Sequence, residues 1–315
     1  MLGMILSFAL PYGAQPPAPE RVELPVHRVS SGNGPPRFSV TVTINGQPVE
    51  AALDTGSVGL RVVGSALPSG GRETGQTVGI GFNSGVQLSG RVVRASVSFG
   101  DLPEATVALQ RIDQATCRSG VPRCDATGSD MSSFRIMSEG VPGQGFVAIL
   151  GIGLRPERLG HPLGQAGVTR WIVELPRSAA ETGKLILNPT DAEVAGYRQV
   201  ALLPDKNEVR GCIRSETHER CAPTMIDSGA PGITLFGADA EDLPAQGTEA
   251  TLSLGEGDDS PSMTVTIGRR DQGGAARIRP ARPDAPTSFS FGIAPYLHWS
   301  ILYDSQARTL GVSDR

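Results

Sequence analysis

Two short acidic turns constrain what this chain can fold into more than any other feature of its sequence. One is an Asp-Thr-Gly turn at Asp54 and the other an Asp-Ser-Gly turn at Asp227, and each follows two apolar residues. No other Asp-[Ser/Thr]-Gly triplet occurs in the 315 residues. One copy of a rare turn in each half of the chain predicts two similar lobes that each contribute a carboxylate to a shared site.

The chemistry of such a pair follows from electrostatics. Two aspartates held about 3 Å apart cannot both ionise cheaply, so they share a proton and titrate as a coupled pair. The ionised carboxylate can deprotonate a water molecule while the protonated one polarises the carbonyl that the water attacks. The pair therefore predicts amide hydrolysis without a covalent intermediate. The alternative is two ordinary surface turns, because Asp, Ser and Gly are common turn residues.

The residues around each aspartate fit a supporting role. Apolar residues before each Asp can end a buried strand at the site, and glycine permits a tight turn and close approach of the other lobe. The turn hydroxyls can bond backbone groups of the opposite turn. The supporting residues are Thr55, Gly56, Ser57, Ser228, Gly229 and Ala230.

Composition and patterning predict a nearly all-β protein. Forty Gly, 25 Pro and a charged fraction of 19% describe a turn-rich globular chain. Residues 38–44 alternate with period two, and Asn45-Gly46 is a strong hairpin signal before a return at 49–53. We predict further strands at 86–99, 106–112, 171–175, 184–187, 263–267 and 300–303, and brief helices at 236–243 and 293–297.

The first 36 residues are interpreted separately. Residues 2–10 form an apolar run of signal-peptide size, although no Lys or Arg precedes it, so residues 1–14 are treated as a possible signal peptide. Residues 15–36 are rich in Pro, Gly and Ser and are expected to be an extended lead-in. No stretch approaches the 18 apolar residues of a membrane span.

Four cysteines form two close pairs, Cys117 with Cys124 and Cys212 with Cys221. Neither spacing matches a zinc site, and the four histidines are scattered, so no metal is expected. Local disulfides are favoured over free thiols, which agrees with a secreted or periplasmic location.

Other functional classes lack their signatures. The chain has no Gly-x-Ser-x-Gly elbow, phosphate loop or His-Glu-x-x-His helix, and its Gly-rich pieces lack the pattern of a dinucleotide site. A net charge of −4 and only two lysines argue against a nucleic-acid partner. No cofactor is expected. An arginine cluster is interpreted as a solvated loop and not a binding patch; it comprises Arg269, Arg270, Arg277, Arg279 and Arg282.

The order of elements over most of residues 38–312 resembles that of the pepsin-like aspartic peptidases. The sequence of the first turn, residues 54–61, resembles a bacterial branch of this fold. Residues 148–153 look like the segment that closes the psi-shaped loop around the first aspartate, and Phe291-Gly292 like its equivalent in the second half. Residues 171–175 and 183–187 resemble strands leading to the inter-lobe sheet, and 300–304 with 309–311 resemble the closing hairpin. The resemblance implies a bilobal fold with an inter-lobe cleft and a proton-sharing dyad of Asp54 and Asp227.

The flap departs from the family pattern. The family usually carries a flap tyrosine whose hydroxyl bonds a tryptophan shortly after the first aspartate. The best flap candidate here is Phe82, Asn83, Ser84 and Gly85, and Arg61 stands where that tryptophan would be. A differently built flap is favoured over loss of activity.

The second turn departs as well. Ala230 stands where the family often has a hydroxyl residue, as Ser57 does in the first turn. Because hydrogen bonds to a carboxylate lower its pKa, we expect Asp227 to carry the shared proton and activity to extend toward neutral pH.

Residues 15–36 hold only two arginines and one histidine, so a pepsin-style basic pro-segment is not expected.

The sequence therefore leads to the hypothesis of a monomeric aspartic endopeptidase that takes a polypeptide in extended conformation across the cleft. Its N-terminal lobe would span residues 37–190 and its C-terminal lobe residues 191–315. The alternatives are a catalytically silent module that uses the same cleft for binding or inhibition, and a structural envelope protein with only a fold-level link.

Overall fold

The computed structural model describes residues 20–30, 34–121, 123–128, 130–141, 143–216, 218–281 and 285–315. The expected signal peptide at 1–14 lies outside these residues. The described part of the chain is mostly β, as predicted, with three short α-helices: α1 (Pro162–Gln165), α2 (Asp191–Val194) and α3 (Ala294–His298).

Ten strands belong to the first 190 residues. They are β1 (Val22–Ser30), β2 (Pro36–Ile44), β3 (Gln47–Asp54), β4 (Val58–Val63), β5 (Arg72–Gly81), β6 (Val86–Ser98), β7 (Ala105–Cys117), β8 (Ala148–Ile152), β9 (Arg170–Glu174) and β10 (Gly183–Leu187).

Ten more strands follow. They are β11 (Arg198–Ala201), β12 (Val209–Arg214), β13 (Glu219–Ile226), β14 (Ile233–Phe236), β15 (Glu249–Leu254), β16 (Ser262–Thr266), β17 (Ala276–Arg279), β18 (Ser288–Gly292), β19 (Trp299–Asp304) and β20 (Thr309–Asp314).

The strands form two sheets. The larger has the order β11-β20-β19-β9-β10-β1-β2-β3-β8-β4-β7-β6-β5, and the smaller has the order β16-β15-β12-β13-β18-β14-β17. Each of the eight strand segments predicted from sequence falls on a strand of one of these sheets. The predicted hairpin at Asn45-Gly46 joins β2 to β3, and both residues take the positive φ angles, 46° and 76°, of a tight hairpin turn.

The same strand pattern occurs once in each sheet. In the larger sheet β3 runs parallel to β8, which is antiparallel to β4, which is parallel to β7. In the smaller sheet β13 runs parallel to β18, which is antiparallel to β14, which is parallel to β17. Each unit is entered by an antiparallel hairpin, β2 to β3 or β12 to β13. The chain is therefore built on an internal structural repeat.

Part of the segment at 15–36, which was expected to be an extended lead-in, is a strand of the larger sheet. Residues 22–30 form β1, which pairs with β10 and then with β2. The alternating side chains of Val22, Leu24 and Val26 are buried, and this period-two burial holds the strand in the sheet. The Pro-rich neighbourhood concealed that pattern in the sequence.

Strands on either side of residue 190 also pair with one another. β9 lies between β10 and β19, and β20 joins β19 to β11. The chain on both sides of this position therefore builds one end of the larger sheet.

The brief helix expected at 293–297 is present as α3, whereas the one expected at 236–243 is only a 3-10 turn, Ala240–Asp242.

Both predicted disulfides are present. Cys117 bonds Cys124, and Cys212 bonds Cys221 directly across the β12 and β13 pair. Such bonds fit an extracellular or periplasmic protein. Among the described residues, no helix has the length and apolar character needed to cross a membrane.

Candidate active site

The two acidic turns occupy equivalent positions in the repeat. Asp54 is the last residue of β3 and lies opposite Gly151 of the neighbouring β8. Asp227 follows β13, and its backbone N–H donates to the carbonyl of Gly292 at the end of β18, 3.2 Å away. Each aspartate thus leaves a central strand beside a glycine on the next strand. The structure brings the two turns together.

The turns are interlocked by their hydroxyl residues. The N–H of Thr55 donates to Ser228 Oγ at 3.0 Å, and the N–H of Ser228 donates to Thr55 Oγ1 at 2.9 Å. Ser228 Oγ also donates to the carbonyl of Leu53 at 2.7 Å, and Thr55 Oγ1 contacts that of Ile226 at 3.2 Å. Because Thr55 and Ser228 are fully buried, breaking this exchange would leave polar groups without partners. The interlock fixes the distance between the aspartates.

Glycine is required at the two points of closest approach. A Cβ on Gly56 would lie 2.5 Å from Asp227 Oδ1, and one on Gly229 would lie 2.9 Å from Asp54 Oδ1. Neither space holds a methyl group, since real Cβ atoms do not approach heavy atoms so closely. Each turn therefore lies directly against the carboxyl group of the other.

The two carboxyl groups have different donors. Asp54 accepts from the N–H of Gly56 at 2.8 Å and from Ser57 Oγ at 2.5 Å, and its side chain is buried. Asp227 accepts one such bond, from the N–H of Gly229 at 2.8 Å. The missing second donor is the hydroxyl that Ala230 lacks.

This asymmetry decides where a shared proton sits. Burial first, and then the negative charge of Asp54, raise the pKa of Asp227 above its ordinary value. Hydrogen bonding to the Asp54 carboxyl raises the pKa of Asp227 further. The charge of Arg37 opposes the shift but is the smallest of these influences. Of the two carboxyls, Asp227 is therefore the one that retains a proton to higher pH.

A buried column supports the first turn from below. Thr55 Oγ1 contacts Tyr296 Oη at 2.7 Å, and Tyr296 Oη is hydrogen-bonded to Tyr303 Oη at 2.5 Å. The Tyr303 ring stacks on Trp171, with ring centroids 5.7 Å apart. Burial raises the pKa of both tyrosines, so both remain neutral donors at physiological pH. Sequence reasoning missed this column, because its members are distant in the chain and each reads as an ordinary core aromatic residue.

Two further residues hold the turns and were also missed. Asn207 donates from Nδ2 to the carbonyl of Thr55 and accepts from the N–H of Leu154, both at 2.6 Å. Arg37, at the start of β2, donates to the carbonyl of Gly229 at 2.5 Å and pairs with Glu139. Both lie in stretches without a motif, so no local signal marks them.

The aspartates lie in a cavity of about 1550 Å³ that both sheets line. The predicted flap residues form the turn between β5 and β6, where the N–H of Gly85 donates to the carbonyl of Phe82 at 3.0 Å. Phe82, Asn83 and Ser84 line the same cavity as the two aspartates, whereas Gly85 does not. An Arg279 guanidinium N–H donates to the carbonyl of Asn83, so β17 contacts the tip of this hairpin.

Arg61 links the first turn to this hairpin. It is 2% exposed on β4, and its guanidinium donates to the carbonyl of Val58 at 2.8 Å and to Gln110 Oε1 at 3.0 Å. Gln110 in turn donates from Nε2 to the carbonyl of Val78 on β5, at 3.0 Å. Burial lowers the pKa of Arg61 to about 10, so it stays charged near neutral pH. A buried polar chain thus runs from β4 to the base of the hairpin.

Among the described residues, one group of three side chains has the spacing of metal ligands, and none of its members lines the cavity. The one cluster with metal-like spacing, Cys212, Glu219 and Cys221, holds its two sulfurs in a disulfide, so neither is available as a thiolate. The cysteines serve as cross-links.

Comparisons with known proteins leave the site to be interpreted from its geometry. No family model matches the chain, and no curated protein matches its sequence.

Proposed function

We propose that this protein is an aspartic endopeptidase that hydrolyses peptide bonds with a water molecule activated between Asp54 and Asp227. The observation that carries the proposal is the interlock of two Asp-hydroxyl-Gly turns, which places two carboxyl groups against each other in one large cavity. A buried proton-sharing pair has little structural benefit, since each carboxyl raises the cost of ionising the other.

The donors assign a role to each acid. Asp54, with two donors, is the carboxylate that takes a proton from the attacking water. Asp227, with the raised pKa, is the acid that donates its proton to the carbonyl oxygen under attack. The resulting tetrahedral diol collapses when Asp54 passes its proton to the amide nitrogen and Asp227 recovers one from a hydroxyl, which restores both groups.

The cavity is consistent with an extended polypeptide substrate. It runs between the hairpin of β5 and β6 on one side and strands of the smaller sheet on the other. Unpaired backbone groups at such a hairpin can hydrogen-bond a substrate strand, while alternate side chains enter pockets. The substrate would lie across the two turns.

We further propose that the fold is the bilobal arrangement of the pepsin-like peptidases. The repeated unit of four strands supports this, since each copy holds one aspartate beside a glycine of the neighbouring strand, Gly151 of β8 or Gly292 of β18. The two lobes would share the end of the larger sheet built from β9, β10, β19 and β20. The two disulfides support secretion to an oxidising compartment.

The proposal is tested by cleavage of an unstructured protein such as casein between pH 3 and pH 7. Wild type is expected to cleave it, and Asp54→Asn and Asp227→Asn are each expected to lose that activity. Cleavage that persists in either variant would contradict the dyad.

A silent binding module is the second candidate. The observations that favour it are Ala230, which leaves Asp227 with one donor, and a hairpin tip without a tyrosine. It predicts that folded wild type binds peptides in the cavity but cleaves none at any pH from 3 to 7.

A further inference from the structure

We propose that Arg277, Arg279, Thr234 and Ser290 form a subsite that binds an acidic side chain, Asp or Glu, of the polypeptide in the cleft. This inference rests on the proposed function and names a preference of the same cavity. It revises the interpretation of this arginine cluster as a solvated loop, since Arg277 and Arg279 lie on β17 and line the cavity.

Strand register places these residues in two rows on one face of the smaller sheet. Thr234 pairs with Ser290 on one side and with Arg277 on the other. Two residues along, Phe236 pairs with Ser288 and with Arg279. Residues two apart on a strand point to the same face, and all six line the cavity. The first row begins two residues before Gly292, the acceptor for the N–H of Asp227, so it starts beside the catalytic turn.

One buried group in this row lacks a partner. Ser290 is 2% exposed, and its hydroxyl makes no hydrogen bond in the structure. A buried hydroxyl without a partner is costly, so such groups mark places that a ligand or water fills. Its neighbour Thr234, also buried, accepts from Arg277 Nε at 3.2 Å. This bond leaves the terminal nitrogens of Arg277 available as donors.

Neutral oxygen atoms accept the hydrogen bonds of both arginines. Arg277 bonds Thr234 and Arg279 bonds the carbonyl of Asn83, and among the described residues neither forms an ion pair. By contrast, some other cations that line the cavity are ion-paired, such as Arg37 with Glu139 and Arg155 with Glu157. Burial, and then the charges of Arg279 and Arg37, lower the pKa of Arg277, and the negative charge of Glu139 opposes this more weakly.

A carboxylate is the ligand that fits this set. Two guanidinium groups supply planar donors that match its two oxygens, and the hydroxyl of Ser290 can add a third donor. The like charges of Arg277 and Arg279 repel each other until an anion lies between them. Phe236, in the second row beside Arg279, would contact the aliphatic part of an Asp or Glu side chain.

The test uses pairs of internally quenched peptides that differ only in Glu or Gln, with the residue placed in turn at each position near the scissile bond. The peptides are amidated at the C-terminus, so that only the side chain supplies a carboxylate. At one position, wild type is expected to show a kcat/KM for Glu about tenfold above that for Gln, the size of a hydrogen bond to a charged group. Arg277→Gln should bring that ratio close to one.

The matched control is Arg94→Gln, which removes an exposed arginine of β6 outside the cavity and should keep the wild-type ratio. A ratio near one at every position in wild type, or a ratio that Arg277→Gln leaves unchanged, would overturn the inference. If no peptide is cleaved, the proposed function fails, and fluorescence anisotropy of the same peptides tests the subsite alone. Tighter binding of a Glu peptide that Arg277→Gln abolishes supports it, and equal binding of Glu and Gln peptides overturns it.

Discussion

Replacing Ala230 with serine should move the pH dependence of catalysis. In the first turn, Ser57 occupies the equivalent position and its hydroxyl donates to Asp54 Oδ2 at 2.5 Å. Asp227 lacks such a donor and accepts only the N–H of Gly229. Ala230→Ser would supply one to the ionised form of Asp227, and this lowers the pKa of that group.

The size of the shift follows from the hydrogen bond. A bond to a charged acceptor contributes about 1.5 to 3 kcal/mol, and one pKa unit corresponds to about 1.4 kcal/mol. At the lower end of this range, the pKa of Asp227 should fall by about one unit. Since the reaction needs Asp227 protonated, activity is lost as pH rises through its pKa. The alkaline limb of the profile should therefore move down by about one pH unit.

The assay is kcat/KM on an internally quenched peptide from pH 3 to pH 9, for wild type, Ala230→Ser and the exposed control Ala179→Ser. A ¹³C NMR titration of the Asp227 carboxyl gives the same pKa without turnover. The reasoning is refuted if the alkaline limb of Ala230→Ser stays in place or moves to higher pH. It is also refuted if the wild-type profile is centred below about pH 3, under the ordinary Asp value.

Three other substitutions test the support of the site. Thr55→Val should lower the free energy of unfolding by about 2 to 4 kcal/mol, measured by urea denaturation, because it leaves several buried polar groups without a partner. Gly56→Ala should lower kcat about 100-fold or more, because its methyl group would displace the facing carboxyl. Arg61→Met should raise KM more than it lowers kcat and speed amide hydrogen exchange in β5, because it breaks the link to the hairpin.

Each has a control and a contradicting result. The control Thr106→Val, on an exposed strand position, should change the free energy of unfolding by less than about 0.5 kcal/mol. An equal loss of stability in Thr55→Val and Thr106→Val would show that the interlock does not stabilise the fold. Gly196→Ala adds a methyl group to open space and should be silent. Wild-type kcat in Gly56→Ala would show that the turns do not need this contact. If amide hydrogen exchange in β5 is the same in Arg61→Met as in wild type, the chain of hydrogen bonds from Arg61 does not hold the hairpin in place.

The strands and the pairing of cysteines could be predicted because their signals are local. Period-two burial, the Asn45-Gly46 turn and short cysteine spacings depend on residues close in the chain. The strand β1 was missed since Pro25 and its Pro-rich surroundings outweighed the alternation of Val22, Leu24 and Val26. The 3-10 turn at Ala240–Asp242 shows the opposite error, since a helix was predicted in a segment that is too short to form one.

The two turns were found in the sequence, but much of their support was not. The aspartates and their glycines form a motif, whereas Tyr296, Tyr303 and Asn207 reach the first turn only through the fold. The subsite arginines show the same limit. Their spacing resembles that of a charged loop, and only the register of β14 with β17 places them in the cavity.

The most direct test of the account is the binding of a statine-type peptide, followed by isothermal titration calorimetry. Its hydroxyl mimics the attacking water, so only two assembled carboxyls should hold it tightly. The account predicts tight binding to wild type and to the exposed control Asp101→Asn, and binding weakened about 100-fold or more in Asp54→Asn and Asp227→Asn. Equal affinity in wild type and both active-site variants, or no binding to folded wild type, would contradict a shared catalytic site.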